Sequence, residues 1–183
     1  MSRILVACLG NIFKGDDGFG VEVARRLATR SLPSPVKVVD FGIRGIDLTY
    51  ALLDGYDAAI LVDTAKRGET PGTVTIIEPE RLLLEELVPE ELMLEPHDLD
   101  PAKVLRVVTA LGGECPRLLL VACEPKTFGD EQMGAMGLSQ AVYEAVEKAA
   151  DTVERLVGEL IAQDVSSNAG GERATTCNMS GGL

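Results

Sequence analysis

Long apolar runs are missing from this chain of 183 residues; none approaches the about 18 consecutive residues that would span a bilayer. The N-terminus has no charged segment leading into an apolar stretch and a small-residue cleavage site, so no secretory signal is read there. Basic residues are scarce. There are 17 against 29 acidic ones, and the net charge of −12 opposes binding to nucleic acid or to an anionic membrane. The four cysteines, Cys8, Cys115, Cys123 and Cys177, form no CxxC pair. Cys8 and Cys123 lie inside strand-like apolar runs, as buried free thiols do. These absences describe a cytosolic protein whose partner is another protein or a small molecule. Histidine is reduced to one residue, His97.

What is present is an alternating α/β pattern. With 46% hydrophobic residues the chain can bury one sizeable core. An apolar strand at Ile4–Leu9 precedes a helical spacing of Val21, Val23, Ala24, Leu27 and Ala28, which predicts a helix from 17 to about 30. A second strand, Val36–Phe41, leads through Gly42 and Gly45 into a short helix ending near Asp54 and Gly55. Ala58–Asp63 reads as a third strand, apolar throughout and closed by a carboxylate, as expected of a strand covered on both faces. The connection to Val74–Ile77 is too short for a crossover helix, so that strand is expected to run antiparallel. Asp100 and Pro101 announce a helix to about Leu111. The last strand is Arg117–Cys123, and a long helix follows from about Leu138 to Ala162. The expected architecture is α/β: a doubly wound, flavodoxin-like, five-stranded, mostly parallel sheet with helices on both faces and one antiparallel strand. Residues 1–163 form the single domain, and 164–183, rich in Ser, Asn, Gly and Thr, read as a disordered tail.

The loop after the first strand is the most specific feature. Gly10 and Gly15 have the spacing of a phosphate-cradling loop, but Asp16 and Asp17 stand where lysine and a hydroxyl would be needed. Glycines at 10, 15, 18 and 20 also miss the GxGxxG dinucleotide pattern. Two adjacent anions suit a metal cation or a helix cap. Asp16 is assigned to capping the first helix and Asp17 to ligation. In a sheet of order 2-1-3 the ligand crevice lies at the carboxyl ends of strands one and three, which brings Asp17 and Asp63 together. His97, in a loop before a helix that starts near that edge, completes a set suited to a divalent transition metal. The acidic run from Glu85 to Glu91 reads as a solvated face. Cys123 is an inert core thiol or, at the strand's end, a nucleophile for His97.

These residues resemble the endopeptidases that mature nickel-iron hydrogenases. The resemblance covers about residues 3 to 160. It rests on Gly10-Asn11, Asp16-Asp17-Gly18-Phe19-Gly20, Asp40 with its glycine-bearing turn, Leu61-Val62-Asp63, Pro71-Gly72-Thr73 and Pro96-His97-Asp98-Leu99. It implies removal of a C-terminal peptide from the hydrogenase large-subunit precursor once nickel has been inserted. The family's metal-contacting acids fall on Asp17 and Asp63 and its histidine on His97. Nickel would be supplied by the precursor, with no permanent cofactor, and the enzyme is expected to be a monomer. Many members carry an Asp-Gly-Gly-Thr turn, implicated in precursor recognition, where this chain reads Asp40-Phe41-Gly42-Ile43-Arg44-Gly45. Asp40, Gly42 and Gly45 are the substrate-recognition candidates that persist. No sequence feature decides which aspartate, if either, is a general base.

Two other classes fit parts of the pattern. A phosphoacceptor receiver domain also has an acid pair after strand one, an acid ending strand three, and a lysine that Lys126 would imitate. Against it, the acid pair lies deep in a glycine loop and the fourth strand ends in Glu78 without the expected hydroxyl. A non-catalytic module that only checks metal loading would share the ligands and leave its partner uncut.

Overall fold

Strand β1 (Ile4–Leu9) is buried along its whole length, and β3 (Ala58–Thr64) along all but its last two residues. Continuous burial places both in the centre of a sheet covered on two faces. With β2 (Val36–Gly42), β4 (Val74–Ile77) and β5 (Arg117–Cys123) they form one sheet in the order β2-β1-β3-β5-β4. The computed structural model describes residues 3–78, 107–113, 117–129 and 134–171. Pairing is parallel from β2 through β5, and β4 runs antiparallel to β5, as the short connection requires. The fold is thus the doubly wound α/β arrangement that the sequence predicts.

Registers align the carboxyl ends of four strands along one edge. Leu9 pairs with Gly42, Cys8 with Val62, and Thr64 with Cys123. A bulge between Cys8 and Leu9 bends β1 just before Gly10. Helix α1 (Phe19–Leu27) and the long helix α3 (Gln140–Gly171) cover one face. Their core includes Phe19, Val23, Leu27, Val142, Ala149 and Val153 against Val6, Cys8, Ile60 and Val121. Helix α2 (Gly45–Leu53) and the helical residues 107–110 cover the other, around Leu5, Leu9, Leu48, Leu52, Leu61 and Val108. Each such fully buried large side chain contributes about 1.5–3 kcal/mol by leaving water. Arg30, just past α1, ion-pairs with Glu147, Asp151 and Glu154 and fastens that end to α3.

Two boundaries differ from expectation. A 3-10 turn at Gly15–Gly18 precedes α1, so the α-helix proper begins at Phe19 rather than 17 and ends at Leu27. Helix α3 also continues beyond Ala162, and residues 164–171 are helical rather than part of a tail. Once a helix is nucleated each added residue costs little, and Ser166 donates its hydroxyl to the Ala162 carbonyl inside the helix. Residues 172–183 lie outside the described residues, as do Asp100, Pro101 and the Glu85 to Glu91 run.

Gly20 is where α1 approaches the sheet most closely. A Cβ there would lie 2.1 Å from the Leu9 carbonyl oxygen and 2.5 Å from that of Val62. Both obstacles are backbone atoms of central strands, so Gly20→Ala should destabilise the protein by about 2–4 kcal/mol. Urea denaturation reads this directly, and an unshifted midpoint would disprove the close approach.

Candidate functional site

The loop leaving β1 turns at Gly10, which adopts φ 132° and accepts no side chain: a Cβ would fall 1.8 Å from the carbonyl oxygen of Asp17. That contact folds Asp17 back over the strand end. Its carboxylate then accepts the Asn11 N–H through Oδ2 at 3.0 Å and the Thr64 hydroxyl through Oδ1 at 3.4 Å. Thr64 also donates its N–H to Asp63 Oδ1 at 2.7 Å. One residue at the end of β3 therefore bridges both acids. Asp17, in the 3-10 turn, and Asp63, near the end of β3, stand half-buried at the sheet's carboxyl edge. Among the described residues no third His, Cys, Asp or Glu joins them in a metal-holding group. His97 lies outside the described residues.

Burial pushes the Asp63 carboxyl up to about 7; the Thr64 N–H opposes this, and the negative charge of Asp17 adds to it. At neutral pH Asp63 is therefore only partly ionised, a state that a nearby cation shifts toward the charged form.

Asp16 does not cap the first helix. Neither the 3-10 turn nor α1 receives a side-chain cap bond. The turn separates Asp16 from the first α-helical residue and rotates its carboxylate inward, where it is fully buried. There Oδ2 accepts the N–H groups of Lys126 and Thr127 at 2.8 and 2.9 Å and the Ser139 hydroxyl at 3.0 Å, while Oδ1 accepts the Ser139 N–H at 2.6 Å. Burial alone would raise its pKa, but these four donors hold it below the usual carboxylate range. Ser139 sits immediately before α3, where the helix's positive end favours an anion. Backbone bonds reinforce the joint: Gly15 N–H to Ala135, Asp16 N–H to Thr127, and Ala135 N–H to Phe13.

The recognition candidates sit beside this loop. Asp40 Oδ1 accepts the Gly42 N–H at 2.9 Å, Gly42 takes φ 55°, and its carbonyl accepts the Gly10 N–H at 3.0 Å. Gly45 opens α2. The Pro71-Gly72-Thr73 motif is explained by packing: a Cβ on Gly72 would lie 2.5 Å from the Ala141 carbonyl oxygen at the start of α3. Cys123 is fully buried, and burial, helped by the charges of Asp16 and Glu124, pushes its thiol up to about 12. That excludes it as a nucleophile. Lys126 is exposed and contributes only its backbone N–H to Asp16.

Three participants were not foreseen. Thr64 adjoins Asp63 in sequence, which was its only signal, and Ser139, the hydroxyl before a helix, had a capping signal. Glu124 stands directly after β5. It is buried, accepts the Arg67 N–H at 2.7 Å, and is held below the usual carboxylate range by that bond and by the N–H groups of Glu69 and Gly68 against its burial. It fastens the loop between β3 and β4.

Fold and site define an α/β protein whose sheet carries a pair of carboxylates, instead of a phosphate cradle, at its carboxyl edge. A family model for hydrogenase maturation proteases matches residues 21–156. The hydrogenase 2 maturation protease of Escherichia coli is 30% identical over 155 residues, covering 82% of this chain and 88% of its own length. The structure of the hydrogenase maturating endopeptidase HybD from E. coli superposes with a TM-score of 0.69 at 28% identity, over 86% of this chain and 93% of that one. A hydrogenase 2 maturation peptidase from a Thaumarchaeota archaeon superposes with a TM-score of 0.63 at 30% identity, over 85% and 98% of the two chains. The chain belongs to the hydrogenase maturation protease family and is a peptidase. Receiver-type signalling is thereby set aside. No helix among the described residues is long and apolar enough to cross a membrane.

Two outcomes test the electrostatics. In Asp16→Asn an amide nitrogen must face N–H donors, so stability should fall by about 2–5 kcal/mol at neutral pH. Because the folded-state pKa of Asp16 is lowered, the stability its ionisation contributes is present above the unfolded value and fades as pH falls through the folded one. The gap between wild type and variant in chemical denaturation should therefore shrink below about pH 4. For Asp63 the sign is opposite. With its folded pKa raised to about 7, wild type should lose stability relative to Asp63→Asn as pH rises from about 4 to about 8. Parallel denaturation curves across that range would refute the raised value.

Proposed function

We propose that the protein is an endopeptidase that removes the C-terminal extension of a nickel-iron hydrogenase large-subunit precursor after nickel insertion. The nickel belongs to the substrate. Asp17 and Asp63, with His97, bind the ion carried by the precursor, and the enzyme has no permanent metal of its own. The observation that carries this reading is the Thr64-bridged pair of Asp17 and Asp63 in a chain of this peptidase family.

Cation and carboxylates complement each other here. Two anions that repel when both are ionised gain from a shared divalent cation, so an unloaded precursor lacks the anchor. Once held, the peptide bond beside the metal is fixed relative to the crevice, and fixed geometry can lower a barrier by on the order of several kcal/mol. Nickel polarises the scissile carbonyl as a Lewis acid while water attacks. The turn from Asp40 to Gly45, hydrogen-bonded to the Gly10 loop, is the surface that selects the precursor.

Asp17→Ala, Asp63→Ala and His97→Ala should each lower processing by at least about a hundredfold while the fold is retained. The assay incubates purified protein with nickel-loaded and nickel-free precursor and reads the products by mass. Loss of a C-terminal peptide from the loaded form alone is expected. Equal cutting of both forms refutes the nickel check, and binding without a change in mass marks a non-catalytic module.

A further inference from the structure

Exposed apolar side chains are distributed unevenly over this acidic protein. Among the described residues nine large hydrophobic side chains are exposed, and five of them, Phe13, Ile43, Ile46, Tyr50 and Met136, lie on segments that follow β1, β2 and β5. That is the edge bearing Asp17 and Asp63. Strand order puts the segments after β2 and after β5 on opposite sides of the carboxylate pair, and Phe13, on the loop after β1, joins the β5 group through its backbone bond to Ala135.

On the β5 side, Phe13 and Met136 are 61% and 79% exposed. They are held next to each other by backbone: Ala135 donates its N–H to the Phe13 carbonyl at 3.0 Å, and Lys14 bridges to Ala135. On the β2 side, Ile46 and Tyr50, 57% and 65% exposed, are four residues apart on α2 and share its outer face, with Ile43 just ahead. This second group is braced. The Arg44 guanidinium donates to the carbonyls of Phe41 and Asp40, and the Gly42 carbonyl is tied to Gly10. Arg44 thus holds its own turn in shape and leaves Ile43 facing solvent at 38% exposure. Apolar side chains presented on a rigid frame lose little freedom on binding, which is the condition for useful contacts.

We propose that these two groups are apolar lips that hold the substrate polypeptide on either side of the bond to be cut, each taking an apolar side chain of the precursor. The inference rests on the reading under Proposed function and adds the chemistry of the contact. Its occupant follows from continuity with the carboxylate pair, since an endopeptidase must touch the chain on both sides of the scissile bond. Clustered exposed apolar surface beside a site marks such contacts.

The test compares wild type with Phe13→Ser/Met136→Ser, with Ile46→Ser/Tyr50→Ser, and with Leu111→Ser/Val165→Ser, whose residues are exposed away from this edge. Steady-state processing of nickel-loaded precursor is measured. Each lip variant should lose about tenfold or more in kcat/KM, carried by KM, and the control pair should stay within about twofold of wild type. All should melt alike, because no buried contact changes. Lip variants that process the precursor with unchanged KM overturn the lips while leaving the function standing. A wild-type protein that cuts no precursor overturns the function itself. A wild-type dimer that the lip substitutions dissociate assigns the patches to a second copy and also overturns the proposal.

Discussion

One buried carboxylate holds the carboxyl edge of this sheet together. Asp16 has no access to water, and all four of its hydrogen-bond donors come from segments 110 to 123 residues further along the chain. A buried charge is costly unless its lone pairs are satisfied, so burial and pairing must be achieved at once. Satisfying them brings the turn after β5 and the start of α3 against the loop after β1. The position of the neighbouring Asp17 follows, because its loop has few remaining degrees of freedom between Gly10 and the Asp16 joint.

Carboxylates at this edge are consequently sorted into two kinds. Asp16 and Glu124 are buried and surrounded by N–H donors, and both are held in the charged form. They are structural anions. Asp63 is short of donors and faces Asp17, so its ionisation is disfavoured until something positive arrives. Two neighbouring residues in sequence, Asp16 and Asp17, thus have different surroundings, because one is enclosed by amides and the other is only half-buried.

The fold was legible where pattern and length decide it. Continuous apolar runs at Ile4–Leu9 and Ala58–Val62 place two central strands, and the few residues before Val74 leave no room for a crossover helix. Convergence of Asp17 and Asp63 followed from strand order alone. Asp16 was misread because adjacent aspartates before a helix carry the same local signal, and only contacts across more than a hundred residues separate an anchor from a cap. Glu124 was missed for the same reason, since its donors are backbone groups of another loop. The end of α3 was misjudged because polar residues after Ala162 favour turns by propensity, whereas here they extend an established helix.

Carboxyl-carbon NMR titration tests the sorting of charges most directly. Asp63 should titrate near 7, shifting downward in Asp17→Asn, while Asp16 stays ionised to below the ordinary carboxylate range. Ordinary titration of Asp63 and Asp16 near about 4, with Asp63 unaffected by Asp17→Asn, would contradict it.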